Sequence, residues 1–320
     1  MIIVTGGAGF IGSRIIHGLN ERGIEDILVV DHLGKTEKYK NLIGLRYADY
    51  VEKDEFIDAV QSNQFEDTDL EAILHMGACS ATTELDGSYL VENNYRYTQV
   101  LAHLAQEKEA KLIYASSAAT YGDGAQGYSD QSPLLDFRPL NPYGWSKYAF
   151  DLWAEAQGLL KTAVGLKFFN VYGPNERHKG DMRSVVSKSF DQILATGQVK
   201  LFKSHNPKFA DGEQLRDFVW VDDVVAVVLF FLDHPKLGGI YNCGTGQARS
   251  FKDLVLATYK ALDKEPKIEY IDMPLSLQPK YQYFTEADTT KLREAGFGRP
   301  FTTLEEGVKD YVVNHLLKGN

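Results

Sequence analysis

The sequence predicts an α/β protein in which a doubly wound parallel sheet carries a smaller mixed α/β domain. Three observations predict it. Short apolar runs alternate with longer amphipathic stretches through the first half of the chain. Strands spaced by helices require right-handed crossovers, and hence a parallel sheet covered on both faces. The chain opens on an apolar run, Met1 to Val4, which meets the glycines Gly6, Gly7, Gly9 and Gly12 and then an amphipathic stretch, Ser13 to Asn20. A second apolar run, Ile27 to Val30, ends on Asp31, nineteen residues beyond Gly12. Strand, tight turn, helix, second strand and terminal acid together make the pyrophosphate-cradling unit of a Rossmann sheet.

The elements follow in order. Strands are expected at Ile2–Val4, Ile27–Val30, Leu45–Ala48, Ala72–His75, Leu112–Ala115 and Val164–Phe169, with helices at Asp54–Ser62, Asn93–Lys108 and Pro142–Leu160 between them. Beyond Val171 the alternation loosens. Tyr172 to Gly180 is rich in turn formers. A helix is expected from Met182 to Ala195, a strand from Asp217 to Val221 and a helix from Asp222 to Leu232 starting on an acidic cap. Ser250–Leu262 and Thr303–Leu317 complete the helices. This pattern places residues 1–170 in a dinucleotide-binding domain, to which 216–244 returns. Residues 171–215 and 245–320 then form the substrate-binding part.

Composition bounds the function. At 320 residues with 44% hydrophobic and 24% charged content, the chain can bury a real core. Its net charge of −10 repels nucleic acid and anionic membranes on average, so an anionic substrate needs a local cationic pocket. No basic leader precedes an apolar stretch and no run approaches a membrane span. The two cysteines, Cys79 and Cys243, form no CxxC pair and suit a reducing cytoplasm. The eight histidines show no ligand spacing, so no metal is expected.

Two further segments carry chemistry. In Asn141-Pro142-Tyr143-Gly144-Trp145-Ser146-Lys147, Asn141 suits a helix cap and Pro142 the first turn, which puts Tyr143 and Lys147 on one helix face. A phenol titrates near pH ~10, and lowering it by about three units asks for roughly 4 kcal/mol. An ammonium at Lys147 and an oxidised nicotinamide ring could supply that jointly. An exposed Tyr and Lys on an amphipathic helix would show the same spacing; the preceding glycine unit is what gives the pair meaning. Ser117, just past the fifth strand, stands where small hydroxylated residues face the ligand crevice.

Together Gly6/Gly9/Gly12, Ser117 and Tyr143/Lys147 resemble the extended short-chain dehydrogenases/reductases, with their GxxGxxG, strand-five Ser and YxxxK. Asn170 to Pro174 and Arg216 to Asp223 resemble the sugar-nucleotide members of that family. Within them, His75 to Ser80 with Thr82-Thr83-Glu84, Asn93-Asn94-Tyr95, Ala115 to Gly122 and His178-Lys179-Gly180 are similar to the ADP-heptose 6-epimerases. That likeness runs from Met1 to about Val312. It implies an isomerase that oxidises C6 of an ADP-heptose to a ketone and reduces it again from the other face, supplying heptose for the lipopolysaccharide inner core. Each face then needs its own proton-transfer group. By the resemblance these are Tyr143 and Lys179, with Lys147 holding the nicotinamide ribose and Ser117 aligning the substrate.

The resemblance also assigns cofactor positions to Gly6, Gly9, Phe10, Ile11, Gly12, Asp31, His32, Lys38, Lys53, Met76, Gly77, Ala78, Cys79, Ser80, Asn93, Lys147 and Val171. It assigns substrate positions to Ser117, Asn170, Asp181, Lys188, Phe202, Lys203, Ser204, His205, Arg216 and Tyr281. Arg216 is the pyrophosphate candidate, since a planar guanidinium binds two phosphate oxygens. Asp31 by itself argues for NAD, while Lys35, Lys38, Lys40 and Lys53 nearby suit a 2′-phosphate. The resemblance implies NADP, with NAD in reserve, and a cytoplasmic homo-oligomer, for which it suggests a pentamer. The competing reading is another NAD(P)-dependent nucleotide-sugar 4-epimerase or reductase. Ser117-Ala118-Ala119 lacks the acidic pair of a dehydratase, and Lys179 is what a 4-epimerase does not need.

Overall fold

A computed structural model describes residues 1–275, 278 and 281–319. Seven strands form one parallel sheet: β1 (Ile2–Thr5), β2 (Ile27–Asp31), β3 (Asp49–Glu52), β4 (Ala72–His75), β5 (Lys111–Ser117), β6 (Val164–Phe168) and β10 (Gly239–Cys243). Their spatial order is β10-β6-β5-β4-β1-β2-β3. The order therefore reverses beside β1, which pairs with β2 on one side and β4 on the other. A doubly wound sheet opens its ligand crevice at the carboxyl ends of the strands at such a reversal.

Both sheet faces are buried, so the strands read as continuous apolar runs. Ile2, Val4, Val29 and Leu74 pack against Ile15, Ile16 and Leu19 of α1 (Phe10–Glu21) and Val224 and Val228 of α7 (Val221–Asp233). Ile3, Val30, Ile73 and Leu112 face the other way, against Leu101 and Ala105 of α4 (Tyr97–Glu107) and Phe150 and Ala154 of α5 (Pro142–Ala156). The period of two along β1 thus feeds two cores.

The smaller part is mixed. β7 (Asn170–Tyr172), β9 (Leu215–Trp220) and β11 (Ala248–Ser250) form a three-stranded sheet, and β8 (Val199–Phe202) pairs with β12 (Ile268–Ile271). Its core joins Phe190 and Ile193 of α6 (Val185–Thr196), Leu254 of α8 (Phe251–Ala261), Trp220 and Tyr311. Of the segment expected to return to the first domain, α7 and β10 pack with the large sheet, whereas β9 pairs in the small one.

Several boundaries differ from expectation. The apolar residues at 45–48 are not the third strand; β3 is Asp49–Glu52. Leu45 closes a turn onto Leu42 after Gly44, and the pairing with β2 begins at Asp49. β3 is an edge strand of mixed exposure, so it carries no apolar signal. The helix expected from Asn93 starts at Gly87 and passes through a π-helical stretch, Val91–Arg96, before α4. The helix expected from Pro142 to Leu160 stops at Ala156 because Gly158 turns the chain at φ +68°. Met182 belongs to a 3-10 turn, Arg177–Met182, and α6 begins at Val185 on a Ser184 cap. The last helix breaks after Asp310 into a π-helical turn, Tyr311–His315.

Candidate active site

One cleft of about 750 Å³ runs along the carboxyl ends of the strands between the two parts. Gly6, Gly9, Phe10, Ile11, Gly12, Asp31, Lys38, Met76, Gly77, Ala78, Cys79 and Ser80 line it on the sheet side, with Ser117, Tyr143 and Lys147. Asn170, Val171, Lys179 and Arg216 line it from the smaller part. A contiguous cavity of about 170 Å³ is lined by Asp31, His32, Lys38, Lys53 and Asn93. The remaining expected residues lie further out. Asp181 is exposed and Lys188 half-buried on α6. Phe202 closes β8, Lys203 is ion-paired to Asp272 at 3.0 Å, and the Ser204 hydroxyl donates to the Asn206 carbonyl. His205 and Tyr281 belong to an aromatic group with Tyr283, and the Tyr281 ring stacks under the Arg216 guanidinium at 5.2 Å.

The glycine turn is built for a close anionic partner. A side chain at Gly12 would collide with the Gly6 carbonyl and leave no tight turn. The N-cap of α1 is Gly9, which offers no capping side chain. The first helical N–H groups, with the helix dipole behind them, therefore face the cleft without an internal partner. Asp31 ends β2 beside this turn. Its carboxylate accepts the Ala8 N–H (2.9 Å), the His32 N–H (2.7 Å) and the Lys38 ammonium (2.6 Å).

Tyr143 reaches the cleft because Asn141 caps α5, accepting the Gly144 N–H at 2.7 Å, with Pro142 in the first turn. Gly144 lets α5 press on the loop after β5; a Cβ there would stand 2.8 Å from the Ala119 carbonyl. Burial pushes the Tyr143 phenol above its ordinary value, and the neighbouring Ser117 hydroxyl pulls it back part of the way. Lys147 is not among the groups that lower it. Burial instead brings Lys147 down to about 8, opposed by the Asp151 charge one turn along α5. The low-dielectric site that holds both groups penalises the ammonium as well as the phenolate.

Behind this pair lies a buried ion pair. Lys167 and Asp151 meet at 2.6 Å with neither side chain exposed. Asp151 also accepts from Ser116 (2.8 Å) and Tyr114 (3.0 Å), and Lys167 donates to Thr120 (2.7 Å). The network ties β5, the loop carrying Ser117, β6 and α5 into one unit.

Lys179 enters from the loop after β7. Its ammonium lies 5.3 Å over the Phe10 ring at the start of α1, and burial lowers its pKa against the opposing Glu176 charge. Arg216 is buried, and burial depresses its pKa too. It donates to the carbonyls of Leu215 and Gln282, and no carboxylate pairs with it among the described residues. Most of its five N–H donors remain for an anion. Lys38, Lys147, Lys179 and Arg216 set against Asp31 make the cleft cationic in an acidic protein.

Sequence reasoning assigned no role to the residues that hold these groups. Asn94 clasps Cys79, accepting its N–H (2.8 Å) and donating to its carbonyl (3.0 Å). Asn41 donates to the Ala8 and Asn175 carbonyls, and Asn175 donates to Ser13, pinning the Lys179 loop to α1. Lone asparagines give no periodic signal, and their partners lie far away in sequence.

The NAD-dependent epimerase/dehydratase family matches residues 2–244. The chain belongs to that family. It is 55% identical over 317 residues to the ADP-L-glycero-D-manno-heptose-6-epimerase of Nitratidesulfovibrio vulgaris, covering 99% of this chain and 98% of the relative. It is 52% identical over 328 residues to the enzyme of that name from Fusobacterium nucleatum, again covering 99% and 98%. The crystal structure of the Helicobacter pylori ADP-L-glycero-D-manno-heptose-6-epimerase superposes with a TM-score of 0.83 at 31% identity, over 98% of this chain and 95% of that one. The Thermotoga maritima UDP-glucose 4-epimerase superposes at 0.79 and 27% identity, over 99% of each chain. The family uses a nicotinamide cofactor, and the uncapped α1 terminus, the glycine cradle and the residues about Asp31 fit one.

Among the described residues no cluster of metal-ligating side chains occurs and no helix is long and apolar enough to cross a membrane. Cys79 and Cys243 are free thiols.

Proposed function

We propose that this chain inverts the configuration at C6 of ADP-D-glycero-D-manno-heptose to the L-glycero form, for use in the lipopolysaccharide inner core. The observation that carries the reading is one cationic cleft lined by two separate proton-transfer groups, Tyr143 from α5 and Lys179 from the loop after β7. An inversion through a ketone needs a donor and acceptor of protons at both faces of the carbon. C6 lies outside the sugar ring, so a turn about the C5–C6 bond presents either face in turn. The chemistry supplied by the bound cofactor is the uptake and return of one hydride. Tyr143, in the cleft with Ser117, exchanges the proton of the C6 oxygen at one face. Lys179 exchanges it at the other. Lys147 holds the nicotinamide ribose, and Arg216 holds the pyrophosphate with its free N–H donors.

The cofactor we propose is NADP. Asp31 spends its carboxylate on two backbone N–H groups and Lys38, so its charge is already matched. Lys53 shares the small cavity with Lys38, and together they suit a 2′-phosphate. The division into 1–170 with 216–244, and 171–215 with 245–320, is proposed as cofactor and substrate parts. The two free thiols support a reducing, cytoplasmic setting. Association into a homo-oligomer is checked by light scattering.

The deciding experiment denatures the purified protein, chromatographs the released nucleotide, and offers fresh enzyme ADP-D-glycero-D-manno-heptose with product configuration read by NMR. NADP and an L-glycero product are expected. Turnover of UDP-hexoses at C4, with the heptose untouched, would favour a 4-epimerase instead.

A further inference from the structure

Glu176 is an acid that the reaction as described leaves unused. It is wholly buried, three residues before Lys179 in the loop after β7. Its carboxylate collects three donors from two residues, Ser184 at the end of the same loop and the distant Tyr311. Oε2 accepts the Ser184 N–H at 2.6 Å, and Oε1 accepts the Ser184 hydroxyl and, at 3.0 Å, the Tyr311 hydroxyl. Ser184 is the cap of α6, where the loop ends. Tyr311 opens the π-helical turn that interrupts the last helix. The loop bearing Lys179 is therefore closed on itself, from 176 to 184, and anchored to the C-terminal helix through a single carboxylate. The Lys179 N–H donates to the Glu176 carbonyl at 3.0 Å, which fixes its backbone to the same residue.

The charges around Lys179 single out Glu176. His178 beside it is held neutral by burial, down to about 4, with Lys38 and Lys179 adding to the effect and Asp31 opposing. Arg183 is committed to Asp191 at 2.7 Å, and Asp181 is exposed. From α1 the loop faces the Phe10 ring, and across the cleft stand Tyr143 and Lys147. Glu176 makes no ion pair within 4 Å of the half-buried Lys179 ammonium, but it is the acid whose charge acts on it, and its carbonyl holds the Lys179 N–H. Burial raises the Glu176 carboxyl, while Ser184, Lys179 and Tyr311 all favour its ionised form.

We propose that Glu176 is the positioning residue of Lys179, closing the 177–183 loop onto Ser184 and Tyr311 and serving as the counter-charge of the Lys179 ammonium. This rests on Lys179 acting as the second proton-transfer group. Without that carboxylate, the half-buried amine would keep only the Phe10 ring to stabilise its charged form, and its affinity for a proton would fall. The side chain contacts no substrate in this account; it acts through Lys179.

The test uses Glu176→Gln, Glu176→Asp and Tyr311→Phe in the holoenzyme. The first readout is the pH dependence of trace acetylation of Lys179 by acetic anhydride, followed by peptide mass spectrometry. Glu176→Gln is expected to move the midpoint down by about one pH unit, the size of effect an adjacent opposite charge has. Tyr311→Phe removes one donor and no charge, and should move it by less than half as much. The second readout is turnover. In Glu176→Gln kcat should fall about tenfold or more, with KM for the ADP-heptose within about twofold, and Glu176→Asp should recover part of the loss. An unmoved midpoint in a folded Glu176→Gln overturns the proposal. If that variant does not fold, unchanged kcat in both Glu176→Asp and Tyr311→Phe overturns it. The underlying reading fails separately, when Lys179→Met keeps near-normal epimerisation while the acetylation midpoint still shifts.

Discussion

Replacing Lys38 and Lys53 together by alanine tests the cofactor assignment most directly. Both side chains are partly exposed, at 23% and 32%, and both line the cavity beside Asp31. Two unit charges at about 4 Å attract by about 4 kcal/mol at an effective dielectric of 20. Exposure and salt reduce this to about 2 kcal/mol for each lysine, the usual range for a hydrogen bond to a charged group. Two such losses come to about 4 kcal/mol, which is several hundredfold in affinity at 1.4 kcal/mol per tenfold. A second effect adds to the discrimination. Loss of Lys38 uncovers the Asp31 carboxylate, which repels a 2′-phosphate but accepts from a free 2′-hydroxyl. NAD affinity should therefore change by less than about threefold. The assay is calorimetric titration of nucleotide-free protein with NADP and with NAD at fixed ionic strength. Equal losses for the two nucleotides would refute the reasoning and point to NAD as the cofactor.

Other outcomes are expected. Tyr143→Phe and Lys179→Met should each lower kcat by about 10²- to 10⁴-fold while ADP-sugar binding persists, as shown by steady-state kinetics and calorimetry. Lys167→Met strands Asp151 in a buried site and should cost about 3–5 kcal/mol. At about 2.1 cal/mol/K per residue, this lowers the melting temperature by roughly 6 °C; a calorimetric shift below 1 °C would contradict it. Stability should also fall on mild acidification. His75, buried, and His178, half-buried, are held neutral by desolvation, with pKa values near 3 and 4 against 6.5 when free. Below pH 6.5 the unfolded chain binds protons that the folded one refuses, so unfolding becomes easier as pH falls from about 6.5 to 4. Asp130, held up to about 6 by burial, works in the opposite sense over part of that range. Urea midpoints measured from pH 7 to 4.5 should decline, and the decline should flatten in His75→Gln; a flat wild-type profile would sink the idea.

Much of the architecture was legible because it is local. The glycine turn, the apolar run of β4, and the Asn141–Pro142 start of α5 each announce themselves within a few residues. The edge strand β3 did not, because a strand half in water has no reason to be apolar. Nor did the short strands β7, β8 and β11, whose pairing partners come from remote segments. In the site, the Tyr143–Lys147 spacing was readable from helix periodicity, whereas Glu176, Asn41 and Asn175 looked like ordinary loop residues. Their importance comes from bonds to Tyr311, Ala8 and Ser13.

The sequence by itself determined the sheet class, the dinucleotide cradle and the residue types available for proton transfer, since these depend on spacing along one chain. Only the tertiary structure decided which charges meet. It matched Asp31 with Lys38, buried Lys167 against Asp151, left Arg216 without a carboxylate among the described residues, and set Glu176 behind Lys179. The physical reason is that ionisation in a protein answers to burial and to neighbours in space, and neither is written in the order of the residues.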